Sequence, residues 1–167
     1  MMEGRHLQLV GMLHGRFGKW DEAVRYYEKA DSAMASVGSD RERLWLGSLK
    51  ASALYNAKRL DESEAEYSRY YQRCREVYGD NADVTIMALN YLANIQAYSG
   101  KIEEGSRNLL AVKERMTRKI AERLRFLPSE TRESYLDNFL DVTFRMTAYG
   151  FKAGHTSDEF TENAWDA

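Results

Sequence analysis

The chain has 167 residues, a formal net charge of −2, 44% hydrophobic and 30% charged residues, one cysteine and one proline. That balance belongs to a folded domain rather than a disordered segment, the near-zero charge draws neither nucleic acid nor an acidic membrane surface, and Cys74 alone excludes an intrachain disulfide. No run approaches the roughly 18 apolar residues of a membrane span, and Met-Met-Glu-Gly-Arg-His opens without the apolar stretch of a signal peptide, so a cytoplasmic location is expected.

β-branched residues are scarce, Ala, Leu, Glu, Arg and Met are plentiful, and no proline precedes Pro128, which together predict an all-α chain. In chain order, helices are expected near 4–17, 20–36, 41–57, 61–78, 83–99 and 102–127. Ser39 with Glu42 reads as a capping box for the third, and Asp61 with Glu64 has the same spacing before the fourth. Gly79 is a stop signal, and Asp80 and Asn81 a start signal for the fifth. The sixth carries an apolar stripe through Leu109, Val112, Met116, Ile120, Leu124 and Leu127. Its length of about 39 Å follows from 1.5 Å of rise per residue.

These elements repeat. Gly18-Lys19-Trp20-Asp21-Glu22-Ala23 aligns with Lys58-Arg59-Leu60-Asp61-Glu62-Ser63 and with Gly100-Lys101-Ile102-Glu103-Glu104-Gly105, at offsets of 40 and 42 residues. A fixed period in this range marks stacked helical hairpins, none of which buries its apolar face alone. Small residues fall where paired helices must cross closely: Gly11, Ala51 and Ala93 on the first helices, Ala23, Ser63 and Gly105 on the second. Tyr27, Tyr67 and Leu109 follow the latter set by one turn.

On these residues the chain resembles the tetratricopeptide repeat family over about residues 4–115. Leu7, Val10, Gly11, Gly18, Ala23, Tyr27 and Ala30 fall at its signature places in the first unit, and Leu89, Leu92, Ala93, Gly100 and Leu109 in the third. The second departs from it, with Lys50 at an apolar place and Tyr70 for a small alanine. The periods exceed the family's usual ~34 residues and are similar to those of the longer-helix variety in kinesin light chains and many bacterial proteins. The resemblance implies a right-handed α–α superhelix of three hairpins, about 4–36, 41–78 and 83–127, forming residues 1–127, with 128–167 as a C-terminal helical extension packed on the last repeat.

In that extension Pro128 and Ser129 end the long helix, and an aromatic stripe follows through Tyr135, Phe139, Val142, Met146 and Tyr149. Thr156 and Glu159 open a further helix that stops about ten residues later, a length marginal in isolation, so a piece of a longer protein is expected. The run Arg125-Phe126-Leu127-Pro128-Ser129-Glu130, on to Tyr135 and Phe139-Leu140-Asp141, is similar to the segment joining tetratricopeptide arrays to CHAT domains. Those are caspase-like cysteine peptidase modules of bacterial proteins. The implied alternative is the regulatory arm of such a peptidase, with its catalytic residues outside this chain.

No residue set within the chain reads as catalytic, and neither metal nor cofactor is expected. His6 and His14 share a helix face without acid or thiol ligands at suitable spacing. Cys74 sits between Arg73 and Arg75, which would lower its pKa, but no motif presents it as a nucleophile. The basic run Lys113, Arg115, Arg118, Lys119, Arg123, Arg125 is interrupted by Glu114 and Glu122, reads as a solvated face with Arg118 pairing Glu122, and is not taken as a nucleic-acid site.

The expected function is therefore protein–protein interaction. A protein or peptide ligand is held on the concave wall, which the first helix of each hairpin lines. In repeat register the wall residues are Arg5, Gln8, Leu9 and Met12, then Trp45, Ser48, Leu49 and Ser52, then Asn90, Tyr91, Asn94 and Tyr98. Asn90 and Asn94 are one turn apart, suited to bonding an extended main chain, and Trp45, Tyr91 and Tyr98 supply the aromatic area of interface hot spots. The wall lacks the lysine-rich carboxylate clamp of chaperone-binding relatives, so an acidic tail is not the expected ligand. Open faces at the two ends of such a stack also make self-association an expectation.

Overall fold

The computed structural model describes residues 2–35 and 38–132. Among them are six α-helices with both ends described, α1 Met2–Arg16, α2 Trp20–Met34, α3 Asp40–Asn56, α4 Leu60–Tyr78, α5 Asp83–Tyr98 and α6 Ile102–Leu124, and residues 129–132 are helical as well. No strand occurs among the described residues, and no described helix is long and apolar enough to cross a membrane. Each helix packs on the next along the chain, and α1 also touches α3. The aromatic stripe 135–149, the Thr156 helix start and the segment likened to CHAT-linked proteins lie outside the described residues, apart from 125–132.

Three turns join α1 to α2, α3 to α4 and α5 to α6, and they are the same turn. Gly18, Lys58 and Gly100 have φ of 72°, 64° and 86°. Each donates its N–H three residues back, to Gly15, Tyr55 and Ala97, at 3.0, 3.0 and 3.2 Å. The next residue donates five back: Lys19 to His14, Arg59 to Leu54 and Lys101 to Gln96, at 3.0, 3.0 and 2.9 Å. This is the Schellman arrangement, which satisfies the last carbonyls of one helix. The same three cations then accept from Ala23, Ser63 and Gly105 through their own carbonyls, each at 3.0 Å, and so start the following helix.

That turn corrects one expected cap. Because Arg59 starts α4, Asp61 lies inside its first turn rather than ahead of it, and no side chain caps the helix. Asp80 and Asn81 do not cap α5 either; the cap position is Ala82, and the Asp80 carboxylate accepts from Arg75 Nε at 2.6 Å instead. The Ser39–Glu42 capping box is present in full at the start of α3. The sixth helix ends at Leu124 rather than 127, with Phe126 N–H closing a tight turn on Arg123.

Inside each hairpin the two helices cross at their smallest residues. A Cβ on Gly11 would lie 2.6 Å from the Tyr27 ring and 3.3 Å from the Ala23 carbonyl, and one on Gly105 would lie 2.8 Å from the Ala93 carbonyl. In the middle hairpin the buried Ser63 hydroxyl donates to the Ala51 carbonyl at 2.9 Å.

Between hairpins the apolar residues merge into two layers. One joins Ala23, Val24, Tyr27, Ala30 and Met34 of α2 to Leu46, Ala53 and Leu54 of α3. The other joins Leu44 of α3, Tyr71 and Cys74 of α4, Ile86, Leu89, Leu92 and Ile95 of α5, and Val112 of α6. Fully burying one such Leu or Ile contributes about 1.5–3 kcal/mol, and because both layers draw on adjacent hairpins, that burial ties each hairpin to its neighbour. Lys50, at a place the repeat pattern gives to an apolar residue, reaches across the boundary as a cation, to Glu66 of α4 at 3.0 Å and Glu28 of α2 at 3.8 Å.

Candidate interaction surface

The positions on α1, α3 and α5 that share a repeat register form one exposed stripe per helix. They are Arg5, Leu9, Met12 and Arg16; Trp45, Leu49, Ser52 and Asn56; and Met87, Tyr91, Asn94 and Tyr98. All are exposed or half-buried. Trp45, Met87 and Tyr98 are about half exposed, at 51%, 51% and 50%. Large apolar side chains left in water at repeated positions are the unusual feature, since scattered single ones mean little.

The aromatic members are tied together across helices. Tyr91 of α5 stacks on Tyr67 of α4, with ring centroids 5.7 Å apart. Tyr98 of α5 meets Tyr55 of α3 edge to face at 5.3 Å. The Lys58 ammonium lies over both rings of that second pair, 5.7 and 5.9 Å from the centroids. Burial, with Tyr91 beside it, pushes the Tyr67 phenol up to about 12, against a hydrogen bond from Ser52. The surface thus combines flat aromatic area with short polar groups, the composition that interface hot spots favour.

The expected residues do not all belong to it. Gln8 is 4% exposed and lies on the stripe of Gly4, Gly11 and Gly15, the side of α1 that meets α2. Its Nε2 has no hydrogen-bond partner among the described residues. Gln8 is therefore a buried seam residue, not an open-wall residue. The Ser48 hydroxyl is turned onto its own helix, donating to the Trp45 carbonyl at 2.7 Å. The Asn94 amide donates to the Asn90 carbonyl at 2.9 Å and to Asn90 Oδ1 at 3.2 Å, so those donors are engaged within α5, leaving the Asn94 Oδ1 acceptor and the Asn90 amide without a bond among the described residues. Arg5 is paired with Glu42 of α3. Met87 completes the stripe and does not stand out in the sequence by itself, although it lies 82 residues after Arg5 and 42 after Trp45.

The remaining candidate groups are structural. Cys74 is fully buried, and burial pushes its thiol up rather than its flanking arginines pulling it down. His14 stacks on Tyr26 at 5.0 Å, and no group of three potential metal-ligating side chains occurs among the described residues. The basic run of α6 clasps the start of α5: Arg115 bonds the Asp80 carbonyl, Lys119 the Asn81 carbonyl and the Asp83 carboxylate, and Arg123 the same carboxylate. Arg118 pairs with Glu114 at 2.7 Å, one turn before it, rather than with Glu122.

No protein-family model matches the chain, and no curated protein matches it.

Proposed function

We propose that the chain is a tetratricopeptide-type α-solenoid that holds a peptide or partner protein along the stripe of α1, α3 and α5. The observation that carries this reading is the exposed row Trp45, Met87, Tyr91 and Tyr98, repeated in register on helices whose opposite sides are fully packed. Two further features support a superhelical stack: three hairpin turns with one hydrogen-bond pattern, and core layers that lie across hairpin boundaries. Identical units related by one small rotation build a curved array, whose first helices line the inner face. On that face an extended peptide places its side chains against Trp45, Met87, Tyr91 and Tyr98, while Asn94 Oδ1 and the Asn90 amide meet its main chain.

The test begins with selection of binders from a random peptide library. Trp45 then serves as the reporter in a variant carrying Trp20→Phe and Trp165→Phe. Titration with a selected peptide is expected to shift the Trp45 emission to the blue and shield it from a soluble quencher. Failure to select any peptide, or binding that leaves Trp45 fully quenchable, overturns the reading.

A further inference from the structure

One face of α1 has no cover among the described residues. Leu9, Leu13 and Phe17 are 61%, 54% and 73% exposed, and the exposed His6 stands in the same band. The other two hairpins reveal what such a face meets. Leu46 and Ala53 of α3, and Ala88 and Ile95 of α5, occupy the register positions of His6 and Leu13. Each is at most 3% exposed and sits in a core layer shared with the second helix of the preceding hairpin. The turn cations obey the same rule. Arg59 takes Asp21 of α2, and Lys101 takes Glu64 of α4. Lys19, the third member of that set, has no partner among the described residues, and neither has Glu3 at the opposite end of α1.

We propose that this face of α1 pairs with the same face of a second copy of the chain, antiparallel about a twofold axis at the level of residue 11. In that register Leu9 of one copy lies against Leu13 of the other, and the two contacts form the apolar centre. Glu3 of one copy then lies opposite Lys19 of the other at both ends, so both unpartnered charges are matched. An isologous pairing of this kind closes at two copies, whereas a head-to-tail one continues into open chains. A contact of one helix per copy is at the small end of protein interfaces, so association is expected to be weak. This inference does not depend on the proposed partner-holding function, although Leu9 borders both surfaces.

Sedimentation equilibrium of the whole chain, over about micromolar to several hundred micromolar, tests it. The expected result is a monomer–dimer equilibrium whose Kd rises at least about tenfold in Leu13→Asp, with the far-UV circular dichroism and dilute-solution Tm of that variant unchanged. Glu3→Lys and Lys19→Glu each weaken the dimer, and the variant carrying both regains it, because the charges are exchanged across the twofold. A monomer at every concentration overturns the proposal. So does a dimer indifferent to Leu13→Asp, or association that grows past two copies and is weakened by Glu103→Lys, the α6 acid at the register place of Asp21 that a head-to-tail contact would set against Lys19.

Discussion

Ser63 of α4 donates its hydroxyl to the main-chain carbonyl of Ala51 in α3 across a distance of 2.9 Å. This marks the closest crossing of the middle hairpin, at the place where Gly11 faces Ala23 in the first and Gly105 faces Ala93 in the third. Three crossings at one register position mean that the spacing of each helix pair is set by backbone contact rather than by side-chain volume. In the middle hairpin a hydroxyl fits where a larger group would not, because the carbonyl satisfies it.

A pair of substitutions tests that claim through opposite signs. A Cβ added at Gly47 would meet nothing within 4 Å, whereas one at Gly105 meets main-chain atoms of Ala93 and Ala97 at 2.8 and 2.9 Å. Ala is the better helix former by roughly 1 kcal/mol. Gly47→Ala is therefore expected to stabilise by about 0.5–1 kcal/mol, and Gly105→Ala to destabilise by about 1–3 kcal/mol through overpacking, both read by urea denaturation.

The turn residues make a second contrast. Lys58 holds φ of 64° where the other hairpins use Gly18 and Gly100, a conformation that costs a residue with a Cβ roughly 1–2 kcal/mol. Gly100→Ala is expected to cost about 1 kcal/mol. Lys58→Gly relieves the strain and forfeits the cation over Tyr55 and Tyr98, so its Tm should stay the same or rise. A clear fall would show that the cation–aromatic contact outweighs the strain.

Gln8 keeps a buried amide donor without a partner among the described residues. A buried unmet donor costs about 1–3 kcal/mol. Gln8→Leu, of similar length and with no polar atom, is expected to raise stability by about 1 kcal/mol in thermal unfolding; a loss of that size would place a partner on the amide.

The helices and their crossings were legible in the sequence because spacing alone carries them. Gly18, Lys58 and Gly100 mark the turns, and the small residues mark where the helices touch. Helix starts were harder to read, since the turn cations Lys19, Arg59 and Lys101 begin the second helices through their carbonyls, which no side-chain pattern announces. The surface was legible in part. Trp45, Tyr91 and Tyr98 stand where the register puts them, but Gln8 does not, because the glycines around it bring α2 close enough to seal its side of α1. Met87 was visible only by comparing units, being the counterpart of Trp45.

The capping box gives a pH dependence. The Ser39 main-chain N–H, then the Arg5 guanidinium and the Ser39 hydroxyl, hold the Glu42 carboxyl at about 2, below its ordinary 4.5. A carboxyl whose folded value is depressed contributes fully above its unfolded value and loses that contribution as pH falls toward the folded one. Glu42→Gln should therefore lower Tm at neutral pH, and the gap from the parent protein should narrow between about pH 4.5 and 2.

The partner-holding surface itself is tested most directly by Asn94→Ala combined with Tyr98→Ala, measured for affinity toward a library-selected peptide and for Tm. Tyr98 loses its edge-to-face contact with Tyr55, worth about 0.5–1.5 kcal/mol, and the cation contact with Lys58, and Asn94 loses only bonds within its own helix. Affinity is expected to fall by more than about a hundredfold, close to 3 kcal/mol, while stability falls by no more than those two contacts. Unchanged affinity, or collapse of the fold, would show that Tyr98 and Asn94 serve packing rather than a partner.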